Sequence, residues 1–310
     1  MTMKEEKSSF YQFMEKNAGH RKTFFWEDHG NNGDRLITMG AQRVLGETGC
    51  ELVDSPDKAE QIVMNGGGKM VNKTPWQFQN IIAFRREYPS LPLILAPQTF
   101  QPQAVDFKDI CKISSSPLIL FARENNSANA LRQLNLPQHC QVHVSQDLAF
   151  ELRGSEFIAN IVKNAAEKHV LIAMRKDKEG VGMAGVQFKL KVKWLPKKIR
   201  RPLAWIRDRM VASVSRDIIK DIFQQEKVDR KLPKIYRDVA SSVSFQEFVA
   251  LICDATLVVT NRLHAAVLGN LLNKRVILIC SGEYHKHKVK GVYDFSMSGP
   301  NSRTSLYVTD

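Results

Sequence analysis

The sequence predicts an α/β protein of two domains, each built on a mostly parallel sheet with helices on both faces. Three observations carry this. Short β-rich runs alternate with helical stretches along the chain, the alternation restarts at His169, and 310 residues suit one large domain or two of about 150 each.

The elements follow in order. Lys22–Trp26 (KTFFW) reads as the first strand, followed by the loop HGNNGD (29–34) and a helix over 35–47. Strand-like runs then occur at 50–53 and 61–65. A glycine-rich turn and a helix around Trp76–Glu87 precede a strand at 91–97, and further strands are expected at Leu118–Ala122 and 141–144. After a link in 152–168, the run 169–175 (HVLIAMR) opens the second half. Runs 256–260 (TLVVT) and 275–280 (RVILIC) continue it, with a helix over 263–272 between them. Ser244-Phe-Gln-Glu247 fits a capping box before TLVVT. These elements assemble into two Rossmann-like domains, 1–155 and 160–310, facing each other across a cleft.

Composition narrows the function classes. Apolar residues make up 43% of the chain, enough for a sizeable core. Five cysteines, at 50, 111, 140, 253 and 280, are scattered without a CxxC pair. They support neither a disulfide framework nor a structural zinc site. The N-terminal segment has no apolar core of a signal peptide, and no stretch of about 18 apolar residues occurs, so a cytoplasmic location is expected. The formal net charge of +13 implies an anionic partner: nucleic acid, a membrane surface or a phosphorylated substrate.

In parallel α/β sheets, ligands bind beyond the carboxyl ends of strands, where helix N-termini offer free N–H groups. Four such junctions stand out. In HGNNGD, the glycines allow close approach, and Asn32, Gly33 and Asp34 suit either a ligand loop, with Asp34 orienting a substrate hydroxyl, or a capped turn with no ligand. In Asn65-Gly66-Gly67-Gly68, three glycines favour a close-approach loop or a flexible turn, without a Walker or GxGxxG pattern. Arg175, ending a strand, offers a planar fork for carboxylate or phosphate, or belongs to a solvated charged loop. The fourth, Thr260-Asn261-Arg262-Leu263-His264-Ala265, is the strongest. Asn261 suits an N-cap, which would put Arg262 and His264 in the first helical turn. The macrodipole disfavours cations there unless an anion is bound.

These residues resemble the polysaccharide pyruvyl transferase family, whose hallmark is [TS]xRLHA, then a strand, then a lysine followed by Gly and an aromatic. Here the pattern reads Thr260-Asn-Arg262-Leu263-His264-Ala265, then 273–279, then Lys288-Val-Lys-Gly291-Val-Tyr293. Asn32-Gly33-Asp34, Gly66-Gly67-Gly68, Ala122-Arg123-Glu124 with Ser127, Asp147 and Arg175 match in the family's order. Arg275 stands where the family usually has proline, and the loop 282–287 (GEYHKH) differs from the usual short form.

The resemblance implies a fold like the GT-B glycosyltransferases, with the acceptor on the N-terminal domain and phosphoenolpyruvate on the C-terminal one. It implies transfer of a pyruvyl group to a sugar diol of a bacterial exopolysaccharide or surface glycan, giving a cyclic ketal and phosphate. Arg175 and Arg262 would hold the donor, with Lys288 a third cation; Leu263, Asn32, Gly33, Gly67 and Gly68 would complete the substrate sites. His264 would act in acid/base chemistry or hydrogen-bond the phosphate, and Asp34 would orient or deprotonate the acceptor. No cofactor and no metal is expected.

The segment 189–210 (KLKVKWLPKKIRRPLAWIRDRM) interleaves cations with Trp194, Trp205 and aliphatic residues. It suits peripheral contact with anionic lipid, and so a lipid-linked acceptor, or a basic surface whose tryptophans pack inward. Two rival readings stay open. One is a GT-B glycosyltransferase using a nucleotide sugar, although no acidic residue is convincingly placed for a ribose. The other is a non-catalytic, basic nucleic-acid-binding protein, although no helix-turn-helix, zinc-finger or RNP-like pattern occurs.

Overall fold

The computed structural model describes residues 7–27, 29–70, 76–102, 107–175, 216–229, 231–282 and 286–309. The chain divides into two compact units, Met1–Lys163 with His287–Ser302, and Asn164–Lys286 with Arg303–Asp310. The expected C-terminal domain of 160–310 therefore gives up 287–302, which carries Lys288, to the first unit.

The first unit holds a seven-stranded, wholly parallel sheet. Its strands are β1 Lys22–Trp26, β2 Glu51–Val53, β3 Gln61–Met64, β4 Gly67–Met70, β5 Leu93–Phe100, β6 Leu118–Ala122 and β7 Cys140–Val144. They run in the order β2-β1-β3-β5-β6-β7, with β4 also on β5. Successive side chains of a strand point to opposite faces, which sorts the core into two layers. Ile62, Met64, Leu93, Leu95, Leu118 and Leu120 form one layer. Val63, Ile94, Ala96, Ile119 and Phe121 form the other. Because both faces are covered, these strands read as unbroken apolar runs.

Helix α2 (Asn32–Glu47) shows how sequence makes an element here. Asn31 and Asp34 form a reciprocal capping box. Ile37, Ala41, Val44 and Leu45 then recur at helical spacing and pack on the second layer. Strand β5 runs past the expected residue 97 to Phe100, and all eight residues are buried. Its polar end is tolerated because Gln98 Nε2 donates to Asn65 O at 3.2 Å and Thr99 Oγ1 donates to Glu124 Oε2 at 3.2 Å. The glycine run is a second departure: Gly67 opens strand β4 rather than a free turn, at φ 139°.

The second unit holds a five-stranded parallel sheet in the order β12-β11-β10-β8-β9. Its strands are β8 His169–Ala173, β9 Lys234–Tyr236, β10 Ala255–Thr260, β11 Arg275–Ser281 and β12 Thr304–Thr309. Ser244 caps the helix Phe245–Cys253 by accepting Glu247 N–H at 3.1 Å. Val170, Ile172, Leu257, Val259, Ile277 and Ile279 form one layer of the core with Ile219 and Ile222 of the helix over 216–225. Among the described residues, no helix is long and apolar enough to cross a membrane. The segment 189–210 lies outside the described residues.

Candidate active site

Strand order fixes where ligands can enter. In the first sheet, connections from β1 run one way to β2 and connections from β3 run the other way, so the order reverses between β1 and β3. In the second sheet it reverses between β8 and β10. The crevice beyond such a reversal is the binding position of open parallel sheets. HGNNGD follows β1, Asn65–Gly68 follows β3, Arg175 follows β8 and Asn261-Arg262 follows β10. All four expected junctions thus sit at reversal points.

In the second unit, Asn261 and Arg175 meet. Arg175 N–H donates to Asn261 Oδ1 at 2.7 Å, and Thr260 Oγ1 donates to Ala173 O at 2.7 Å, tying β10 to β8. Asn261 is buried, and its Nδ2 has no hydrogen-bond partner among the described residues. The cap differs from expectation. Arg262, not Asn261, is the N-cap of the helix Leu263–Leu271, with extended backbone and its carbonyl accepting Ala265 and Ala266 N–H at 3.1 Å. Thr260 Oγ1 accepts Arg262 N–H at 2.9 Å, so threonine satisfies the backbone and releases Asn261 to hold Arg175. His264 is half-buried in the first turn, beside buried Leu263.

Asp238 completes this region. Its carboxylate accepts from Arg262 Nε at 3.1 Å and from Nη2 at 2.5 Å, a two-pronged bond that fixes the guanidinium plane. It also accepts Ala240 N–H at 3.2 Å. Asp238 lies just past β9, a three-residue strand, and sequence reasoning missed both. The one available signal was an acidic residue two positions after Lys-Ile-Tyr.

In the first unit, Asp34 is buried and its Oδ2 accepts Asn31 N–H at 2.8 Å, while Asn31 Oδ1 accepts Gly33 N–H at 2.8 Å. Asn32 and Gly33 thus open α2 as a capped turn at the β1 crevice. Lys288 belongs to this unit, and Arg175 and Arg262 belong to the second.

A buried polar network extends from β6. Arg123 Nη1 donates to Asp147 Oδ2 at 2.6 Å and its Nε to Thr99 Oγ1 at 2.9 Å. Arg123 Nη2 has no hydrogen-bond partner among the described residues. Glu124 accepts from Thr99 and, through Oε1, from Ser127 Oγ. Burial pushes the Glu124 carboxyl up to about 7, against the pull of Arg123, Ser127, Thr99 and Lys288. A Cβ on Gly68 would stand 2.8 Å from both Arg123 Nη2 and Lys288 Nζ, so glycine is what lets these cations approach the backbone.

The two sheets, with charged and amide side chains at their reversal points, define a two-unit α/β protein. The chain belongs to the polysaccharide pyruvyl transferase family, whose sequence model matches residues 31–280. No curated protein matches it. Among solved structures it is similar to a functionally uncharacterized protein from Klebsiella pneumoniae, at 15% identity over 97% of each chain with a TM-score of 0.62. It is also similar to UDP-GlcNAc 2-epimerases. That of Methanocaldococcus jannaschii is 13% identical, over 90% of this chain and 72% of the other, with a TM-score of 0.39. That of Neisseria meningitidis is 12% identical, over 86% and 84%, with a TM-score of 0.41.

Proposed function

We propose that the protein transfers the pyruvyl group of phosphoenolpyruvate to two hydroxyls of a sugar in a cell-surface glycan. The observation that carries this reading is the family match through the Arg262-Leu263-His264 turn. Arg262 there is held in plane by Asp238 beside Asn261 and Arg175. A donor with a carboxylate and a phosphate suits two guanidinium groups, and the N–H groups that open the helix at Leu263 add to the phosphate site.

The chemistry follows from the donor. A proton adds to the methylene carbon, and a sugar hydroxyl oxygen bonds to the adjacent carbon as it loses its own proton. The carbon–oxygen bond to phosphate then breaks, phosphate departs with the electron pair, and the second hydroxyl closes the ketal with loss of its proton. His264, in the first turn of that helix, is assigned the proton delivered to carbon. Asp34 orients the acceptor hydroxyl. Arg175 and Arg262 stabilise charge on the departing phosphate. The segment 189–210 holds the enzyme at an anionic membrane where a lipid-linked acceptor resides.

Phosphate release from phosphoenolpyruvate in the presence of glycan acceptors tests the assignment. Arg262→Ala and His264→Ala are each expected to lower turnover at least a hundredfold, while melting like the parent. Folded variants with parental turnover would overturn it.

A further inference from the structure

One buried cation takes no part in the chemistry above. Arg85, in the helix Trp76–Glu87, is only 2% exposed. Its Nη2 donates to Ser114 O and, at 3.2 Å, to Ser116 O. Its Nε and Nη1 have no hydrogen-bond partner among the described residues. A guanidinium buried without an anion is costly. Among the described residues, the ionisable groups that act on its charge are the thiols of Cys140 and Cys111.

The two sulfurs come from separate elements. Cys111 lies in the helix Phe107–Ile113, and Cys140 opens β7, 29 residues further on. Their Sγ atoms share a hydrogen bond at 2.7 Å. A covalent S–S bond is about 2.05 Å long, so joining them takes a shift of roughly 0.7 Å. A hydrogen bond from His139 Nε2 to Cys111 O, at 3.1 Å, fastens the two segments. Cys111 is 1% exposed and Cys140 9%, where the exposed residues Pro137 and Gln138 lead into β7, so a small reagent meets Cys140 first. The hydrogen bond with Cys111 and the Arg85 charge hold the Cys140 thiol below the usual thiol range, against the cost of burial. The same hydrogen bond and burial push the Cys111 thiol up.

We propose that Cys111 and Cys140 form a redox-modifiable dithiol, in which Arg85 holds a Cys140 thiolate and a hydroperoxide converts the pair to a reversible disulfide. The Cys140 sulfur attacks one peroxide oxygen. An S–O bond forms, the O–O bond breaks, and the leaving oxygen takes up a proton as water, or as an alcohol from an alkyl hydroperoxide. The Cys111 thiol then gives up its proton and attacks the Cys140 sulfur. An S–S bond forms, the S–O bond breaks, and the hydroxyl leaves with that proton as water. Two electrons pass from the sulfurs to the peroxide, and a dithiol returns them by exchange. The disulfide removes the anion that faces Arg85, so the reduced form is the favoured partner of the buried cation. This makes the bond a labile one and not a structural staple.

The test treats the folded full chain with hydrogen peroxide, blocks the remaining thiols with an alkylating agent, and maps the cysteines by peptide mass. The expected product joins the Cys111 and Cys140 peptides with loss of two hydrogens, and dithiothreitol restores both thiols. Cys111→Ser should stop at the sulfenic acid, trapped at Cys140 by a 1,3-diketone. Arg85→Met should slow disulfide formation about tenfold or more, and shift the equilibrium with dithiothreitol toward the disulfide. If Arg85→Met does not fold, the parent map and the Cys111→Ser trap still decide the outcome. No disulfide between Cys111 and Cys140, no trapped acid at Cys140 in Cys111→Ser, or a folded Arg85→Met that oxidises as fast as the parent would overturn the inference.

Discussion

Arg262 and Arg123 occupy the same kind of place, just past the carboxyl end of a parallel strand, and each is paired with an aspartate from another part of its own unit. Their surroundings differ. The Arg262–Asp238 side chains are 15% and 21% exposed, whereas those of Arg123–Asp147 are both 0% exposed. In the first pair the carboxylate aims an arginine that still reaches solvent. In the second it neutralises a charge that has no water to turn to. The same residue pairing is therefore site geometry in one unit and part of the folded core in the other, and burial decides which.

Removing each carboxylate breaks the comparison open. Asp147→Ala strands a buried guanidinium and is expected to cost about 3–5 kcal/mol in denaturant unfolding. A loss below 1 kcal/mol would mean that Arg123 is not the buried charge described here. Glu124 comes next. Its proton stays on in the native state where the unfolded chain, with an ordinary carboxyl near 4.5, has already lost it. Unfolding then releases a proton, so stability falls as pH rises from about 4.5 through about 7, by on the order of 3 kcal/mol. Glu124→Gln should flatten that slope in parallel melts across this range.

Smaller effects sharpen the contrast. Asp238→Ala should change stability by no more than about 2 kcal/mol, yet weaken phosphoenolpyruvate binding about tenfold, because Arg262 loses its orientation and not its solvation. Equal effects of Asp238→Ala and Asp147→Ala on stability would erase the distinction. Asn31→Ala removes only a cap and should cost about 1 kcal/mol by thermal unfolding.

Much of this was legible in the sequence where physics is local. Runs such as 256–260 and 275–280 are buried on both faces, so a continuous apolar stretch identifies them. The strands β9 and β12 were not seen: Lys-Ile-Tyr is short, and Thr304–Thr309 alternates polar residues in a Ser- and Thr-rich tail. Both lie at sheet edges, where one side needs no apolar partner. The four junctions were legible as strand ends, because each follows a continuous apolar run. Their partners were not. Asp238 is 24 residues from Arg262, and Lys288 joins the first unit only through the path of the chain after β11. The Asn261 cap failed for a related reason, since Thr260 took over the backbone role and freed the amide for Arg175.

The most direct measurement is a calorimetric titration of phosphoenolpyruvate into the parent protein and into Arg262→Ala, with a panel of nucleotide sugars alongside. Phosphoenolpyruvate binding that is lost in the variant, with no nucleotide-sugar binding, is the predicted result. Nucleotide-sugar binding without phosphoenolpyruvate binding would contradict the account and leave the same fold serving glycosyl transfer.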